Sequence, residues 1–170
     1  MPTAYILKNA VIDLQNKVQN MKETTLCYIE NCGRYLMMLR NKKENDPNRN
    51  KWIGVGGKLN PGETPADCAA REIFEETGLL VTNLIYKGRI MFVSDKWDDE
   101  LMHLFIAKSD SDKVTKCNEG TLEWIKKDSI LSLNLWEGDK VFLKRLIENN
   151  QNFLDITLTY KGDSLVSVKE

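Results

Sequence analysis

Three glutamates, Glu72, Glu75 and Glu76, fall within five consecutive positions beside Arg71, and a glycine turn, Gly54-Val-Gly-Gly57, leads towards them. On a helix, positions 72, 75 and 76 are three and four residues apart and share one face. Like charges held a few ångströms apart near a protein surface repel by on the order of a few kcal/mol. A hard divalent cation removes that cost and keeps the carboxylates ionised. Mg²⁺ takes oxygen ligands and retains waters, one of which can attack a phosphorus centre. Gly56 and Gly57 let the backbone approach a ligand closely, and Lys58 follows at once to neutralise phosphate charge. Arg71 can hydrogen-bond Glu63 or Glu75 and fix the geometry. The competing reading is a solvated acidic helix face with Arg71–Glu75 as an ordinary surface pair.

The elements that must position these groups are legible. Thr64 can cap a helix, Pro65 suits its first position, and Asp67 completes a capping pattern. Ala66, Ala69, Ala70 and Ile73 read as the buried stripe of that helix, on a flank separate from the carboxylates, and Gly78 supplies the left-handed terminator. Strands are expected at Thr24–Glu30 and Arg34–Arg40 around an Asn31-Cys-Gly33 turn, and at Leu84–Val93, Leu101–Ala107 and Thr121–Ile125. Residues 51–55 lead into the glycine turn, and Asp95–Glu100 is an acidic loop. A helix is expected over Asp139–Glu148. A hairpin, Phe153–Tyr160 and Ser164–Val168, closes the chain. Asn41–Lys51 reads as a polar loop carrying Lys42, Lys43 and Arg49. His103, the one histidine, sits in an apolar strand and reads as a packed or edge residue, and Trp124 reads as core. Strands mixed with two or three helices suggest an α/β sandwich around a mixed sheet.

Ahead of these elements, Leu7, Val11, Leu14, Val18 and Met21 form a helical apolar seam. Two heptads are too short to stand alone, so the seam docks on the domain, pairs with a second copy or is marginally ordered. Residues 1–21 are therefore expected as a helical extension and 22–170 as the domain, in a monomer or homodimer.

With 170 residues the chain can bury one proper core, and 24 basic against 25 acidic side chains leave no polybasic face for stable nucleic-acid binding. No apolar run approaches the roughly 20 residues that cross a bilayer. No charged-then-apolar pattern opens the chain, and the four cysteines form no CxxC pair. The expectation is a cytoplasmic protein with reduced thiols, and no membrane association.

The full spacing narrows the chemistry. Gly57, five residues, Glu63, seven residues, Arg71-Glu72, Ile73, one residue, Glu75-Glu76, one residue, Gly78 and Leu79 match the Nudix hydrolase signature at every specified position. The chain thus resembles the Nudix family, which implies an α/β/α sandwich around a mixed β-sheet, here with an extra N-terminal helix. It also implies hydrolysis of nucleoside diphosphate-linked compounds with Mg²⁺ or Mn²⁺. The resemblance casts Glu72, Glu75, Glu76, the Gly57 carbonyl and a later-loop glutamate, Glu119, as metal ligands. Glu72 is a ligand or orients the attacking water, and Glu63 and Arg71 brace the loop-helix-loop. Within the family the likeness is to MutT-type enzymes that clear oxidised purine nucleoside triphosphates such as 8-oxo-dGTP. It rests on residues 52–58, Glu100-Leu-Met102, Leu135-Trp136 with Asp139, and the final hairpin. By that likeness Phe92 and Met102 line a base pocket that Trp136 and Asp139 face, while Arg40 and Lys58 hold the triphosphate. Two departures bear on the base: Ile53 stands where those enzymes carry a base-reading asparagine, and Gly138 replaces a second pocket aspartate. Alternatives are ADP-ribose, a dinucleotide polyphosphate or an ordinary dNTP as substrate, or a nucleotide-sensing module without catalysis.

Overall fold

Leu26-Cys-Tyr-Ile29 is a continuous apolar run, the pattern of a strand covered on both faces. It lies in β1 (Lys22–Asn31), at the centre of the sheet, with all four side chains buried. The computed structural model describes residues 21–170, so the seam expected over 4–21 falls, Met21 apart, outside the described residues. A two-residue turn, Cys32-Gly33, returns the chain into β2 (Arg34–Leu39), with Asn31 opposite Arg34. There follow β3 (Trp52–Ile53), helix α1 (Pro65–Thr77), β4 (Asn83–Ser94), β5 (Glu100–Lys108) and β6 (Thr121–Lys126). A 3-10 helix (Lys127–Ser132) that the residue pattern did not announce precedes α2 (Glu137–Ile147) and the hairpin of β7 (Leu154–Lys161) and β8 (Ser164–Lys169).

The strands form one sheet in the order β3-β2-β1-β5-β4-β7-β8, with β6 paired to β2. Pairs β1–β5 and β4–β7 are parallel and the others antiparallel, so the sheet is mixed, as expected. Only Ile29–Asn31 of β1 pair with β2, which leaves the preceding part of that edge open. The glycine segment fills the vacated edge: Cys27 N–H donates to the Val55 carbonyl (2.7 Å), Thr25 N–H to Gly57 (2.9 Å) and Leu59 N–H to Glu23 (3.1 Å). The turn is therefore fastened to the central strand.

Side chains alternate across the sheet and supply two cores. Tyr28, Tyr35 and Met37 pack with Phe142, Leu143 and Leu146 of α2 on one face. Cys27, Ile29, Leu36 and Met38 pack with Ala69 and Ile73 of α1 on the other. With one helix covering each face, the architecture is the α/β/α sandwich. Trp124 is half-buried rather than core: its ring lies 5.7 Å from the Arg34 guanidinium, and its indole N–H donates to the Asp112 carbonyl (2.9 Å).

The buried stripe of α1 differs from the expected one. Ala66 and Ala70 are exposed, whereas Cys68, Ala69, Ile73, Glu76 and Thr77 are buried. The helix is rolled so that Ala69 and Ile73 meet β1 and β2, which carries Glu76, three residues beyond Ile73, inward with them. Glu76 consequently shares the core-facing stripe instead of occupying a separate flank.

Candidate active site

Helix α1 is set by its caps. The Thr64 hydroxyl accepts from Asp67 N–H (3.2 Å) and donates to the Asp67 carboxylate (2.6 Å). Gly78, at φ 73°, donates its N–H to the Phe74 carbonyl (2.8 Å). Arg71 then ties the helix to the preceding loop. Its guanidinium grips both Glu63 oxygens (2.8 and 2.9 Å) and donates to Glu72 (2.6 Å), Glu75 (3.2 Å) and the Lys58 carbonyl (3.2 Å). Bonds from Arg71, and from Asn60 N–H (2.8 Å), hold the Glu63 carboxyl at about 2, well below the usual carboxylate value. Glu63 and Arg71 thus form the expected brace. Arg71→Ala releases Glu63 and Glu72 together, and a misplacement of about 1 Å at a reacting centre costs roughly 10²-fold in rate. The expected result is a loss of that order in kcat, measured by product release, with a far smaller change in KM.

The three signature glutamates do not share one environment. At about 100° per helical residue, Glu75 is rotated about 100° from Glu76. Glu76 is buried and its carboxylate accepts Gly56 N–H (3.0 Å). Burial raises its pKa to about 7, and the nearby Glu119 and Glu72 charges push the same way against the Gly56 hydrogen bond. Glu72 lies directly over Gly57, in contact range of the position where a Cβ would stand. Glu75, expected as a third ligand of the same helix, is 58% exposed in its side chain and rests on Arg71. Glu119 does face this corner, but Arg40 and Lys43 (2.6 Å) hold its carboxylate. Although burial raises its pKa, those two cations prevail and lower it. The Gly57 carbonyl, also expected as a ligand, already accepts Thr25 N–H within the sheet.

Among the described residues no three His, Cys, Asp or Glu side chains surround one point at metal-holding distance. The donor set nevertheless fits a hard cation. Glu72, Glu76 and Glu119 offer only oxygen, and Glu76 is a buried carboxyl among like charges that a cation would relieve.

Beyond the glutamates a cleft of about 520 Å³ opens. Arg40, Gly57, Lys58, Glu72, Phe92, Met102, Glu119, Trp136 and Asp139, all singled out from the sequence, line it. Glu76 does not line it but is bonded to the lining residue Gly56, and Glu63, Arg71 and Glu75 are linked to it through Glu72. At the far end from the glutamates the walls are aromatic. Tyr160 meets Trp136 edge-on (centroids 5.5 Å, 83°) and Phe92 at a tilt (5.1 Å, 38°). The Tyr160 hydroxyl accepts Gly138 N–H (2.8 Å), Trp136 donates its indole N–H to Asn48 (2.8 Å), and Lys51 lies 5.0 Å over the Trp136 ring. Tyr160, Trp97 and Asn48 are lining residues that the sequence pattern missed. For Tyr160 the available signal was its place in a hairpin already matched to the family. His103 does not line the cleft; it stands on β5 between Tyr86 (3.0 Å) and Glu23 (3.1 Å).

Asp139 is buried in the cleft wall, and burial raises its carboxyl to about 7 despite the opposing Lys51 charge. The charged and titratable groups around it are Lys51, Tyr28, Tyr160 and Glu137. A carboxyl whose folded pKa exceeds its unfolded value binds its proton more tightly in the folded state. Its stabilising contribution is complete below the unfolded value and is lost as pH rises through about 7. Asp139→Asn should therefore flatten the fall in stability between about pH 4 and pH 7, by on the order of a few kcal/mol. Denaturant unfolding at three pH values checks this, and parallel curves for the two proteins would reject it.

Residues 21–146 match the family model described as the NUDIX domain. Over 145 residues the chain is 29% identical to the uncharacterized Nudix hydrolase YvcI of Bacillus subtilis (strain 168), covering 82% of this chain and 87% of that protein. It is 30% identical over 132 residues to the oxidized purine nucleoside triphosphate hydrolase of Danio rerio, covering 76% and 82%. Its fold is similar to the crystal structure of a MutT protein from Bacillus halodurans, with a TM-score of 0.76 and 29% identity over 88% of this chain and 97% of that one.

Proposed function

This chain belongs to the Nudix family and is a hydrolase of phosphoanhydride bonds, and on that premise we propose that its substrate is an oxidised purine nucleoside triphosphate such as 8-oxo-dGTP, cut to the monophosphate and pyrophosphate. The observation that carries the reading is one cleft with a carboxylate corner at one end and an aromatic, acid-bearing pocket at the other. The likeness to the zebrafish enzyme supports it. The reading makes residues 22–170 the catalytic domain of a cytoplasmic enzyme that clears the nucleotide pool. None of the described helices is long and apolar enough to cross a membrane.

Within that cleft the residues divide the work. Arg40 and Lys58 neutralise the phosphate chain, and Lys43 stands beside Arg40 to help. Glu72, Glu76 and Glu119 would hold Mg²⁺ or Mn²⁺, which when bound neutralises charge on the phosphates and acidifies a water. Glu72, braced by Arg71, would orient the attacking water. Gly56 N–H and the helix keep Glu76 fixed, so the corner is organised before substrate arrives. Phe92, Met102 and Trp136 enclose the purine. Asp139, protonated over much of the range below pH 7, can donate a hydrogen bond to the base edge.

A panel of oxidised and ordinary nucleoside triphosphates, with ADP-ribose and a dinucleotide polyphosphate, tests the assignment at low substrate with Mg²⁺ or Mn²⁺. The expected result is a kcat/KM for 8-oxo-dGTP at least roughly tenfold above dGTP, with pyrophosphate as co-product. Equal rates on ordinary dNTPs, or a preference for ADP-ribose, would reject the oxidised-purine reading and leave the hydrolase intact.

A further inference from the structure

The loop between β4 and β5 carries an unusual group. Trp97 lines the cleft, yet its indole nitrogen is shut off from solvent with no hydrogen-bond partner. Buried donors are normally paired, so an orphan next to a binding cleft calls for an acceptor that arrives with the ligand. Two other donors of this region are already engaged. Trp136 gives its indole N–H to Asn48 (2.8 Å), and Lys51 gives protons to Asn134 (3.1 Å) and the Leu135 carbonyl (3.3 Å).

The backbone around the indole is tied down, while the indole nitrogen itself carries no hydrogen bond. The Ser94 hydroxyl accepts the N–H groups of Lys96 and Trp97 (both 3.1 Å). Asp95 accepts Gly162 N–H (2.7 Å) from the β7–β8 turn, and Lys96 reaches Asp163 of the same turn (2.9 Å) while lying 4.9 Å over the Trp97 ring. Ser94 is also the register partner of Tyr160 across β4–β7. Trp97 therefore belongs to the aromatic end of the cleft, where the base would lie, rather than to the glutamate corner.

Resting on the nucleotide reading above, we infer that Trp97 is a specificity-determining residue whose indole N–H donates a hydrogen bond to an acceptor on the bound nucleobase, a carbonyl oxygen or a ring nitrogen. Trp136 and Phe92 contribute planes, Asp139 contributes an O–H, and Trp97 contributes an N–H. Together they let the pocket rank bases by where their acceptors stand, in a chain that has Ile53 rather than an amide at the glycine turn.

Trp97→Phe keeps an aromatic ring and deletes the donor. The probes are 8-oxo-dGMP, or the monophosphate of whichever nucleotide the panel ranks first, and inorganic tripolyphosphate, each titrated by calorimetry. Removing one hydrogen bond should raise Kd for the monophosphate, and KM for its triphosphate, about tenfold. Over the same substitution kcat should stay within about twofold, and affinity for tripolyphosphate should be unchanged. The inference is overturned if monophosphate affinity is unchanged, which would leave the indole as a packing group. It is equally overturned if monophosphate and tripolyphosphate weaken alike, which would mean that the loop has shifted. Choosing the probe from the panel keeps this outcome separate from the fate of the 8-oxo-dGTP assignment.

Discussion

Glu76→Gln lowers kcat by roughly 10²–10³-fold, the scale of removing one preorganised electrostatic group from an active site, while the protein keeps its fold. Glutamine has the same shape and retains a carbonyl oxygen that can accept Gly56 N–H, the bond that locates this side chain (3.0 Å). What it lacks is charge. The native carboxyl is buried, its pKa raised to about 7 by that burial and by the Glu119 and Glu72 charges, so ionising it without a cation is unfavourable. Replacing it removes a destabilising charge, and Tm should hold or increase. Falling activity with constant or rising stability separates a site residue from a core residue, because loss of core packing would lower both. Calorimetry with Mn²⁺ supplies the second readout and should show weakened binding. Glu75→Gln is the internal control. Its carboxylate is exposed on Arg71 rather than buried, so its loss should be the smaller, roughly tenfold. If Glu76→Gln turns over at the native rate, the carboxylate corner is not where the chemistry happens.

The legible part of this protein was the part written locally. Residues 57–79 encode a turn, a capped helix and a terminator within a short stretch, and the structure forms each where the spacing asked for it. The strands followed from apolar runs and turn residues, with boundaries shifted by one or two positions. The rotation of α1 was less accessible. Alanines tolerate either side of a helix, so Ala66 and Ala70 carried no directional information, and docking on β1 and β2 decided the matter through Ala69 and Ile73. That same rotation turned Glu76 inward and left Glu75, about 100° round the helix, exposed on Arg71. Long-range assembly was the least accessible. Glu119 was found through likeness to a family, but its grip by Arg40 and Lys43 joins residues more than 70 positions apart and has no local signature. Tyr160 reaches the cleft only because β7 pairs in parallel with β4, and Trp97 only because its loop is pinned to the turn after β7.

Two adjacent glycines should fail in opposite ways when each is changed to alanine, and the contrast tests how the corner is built. At Gly57 the added methyl would press on the Glu72 carboxylate, the far end of a flexible side chain, with no backbone among its nearest contacts. The chain can absorb it by turning Glu72 aside, at a cost in stability of about 1 kcal/mol or less. Glu72 cannot then occupy the space above the turn, although Arg71 holds the same carboxylate (2.6 Å). Activity should fall roughly 10²-fold with Tm almost unchanged. At Gly56 the methyl would collide with the backbone carbonyl of Thr25, and φ is +152°, a conformation that L side chains rarely adopt. Neither the central strand nor the dihedral can yield cheaply. Gly56→Ala should destabilise the fold by on the order of 3 kcal/mol, or about 10 °C in Tm for a domain of this size. Thermal melts and initial rates on the two variants decide the matter. Native activity in Gly57→Ala would show that Glu72 acts from somewhere other than above the turn, and the water-orienting role assigned to it would have to pass to another carboxylate.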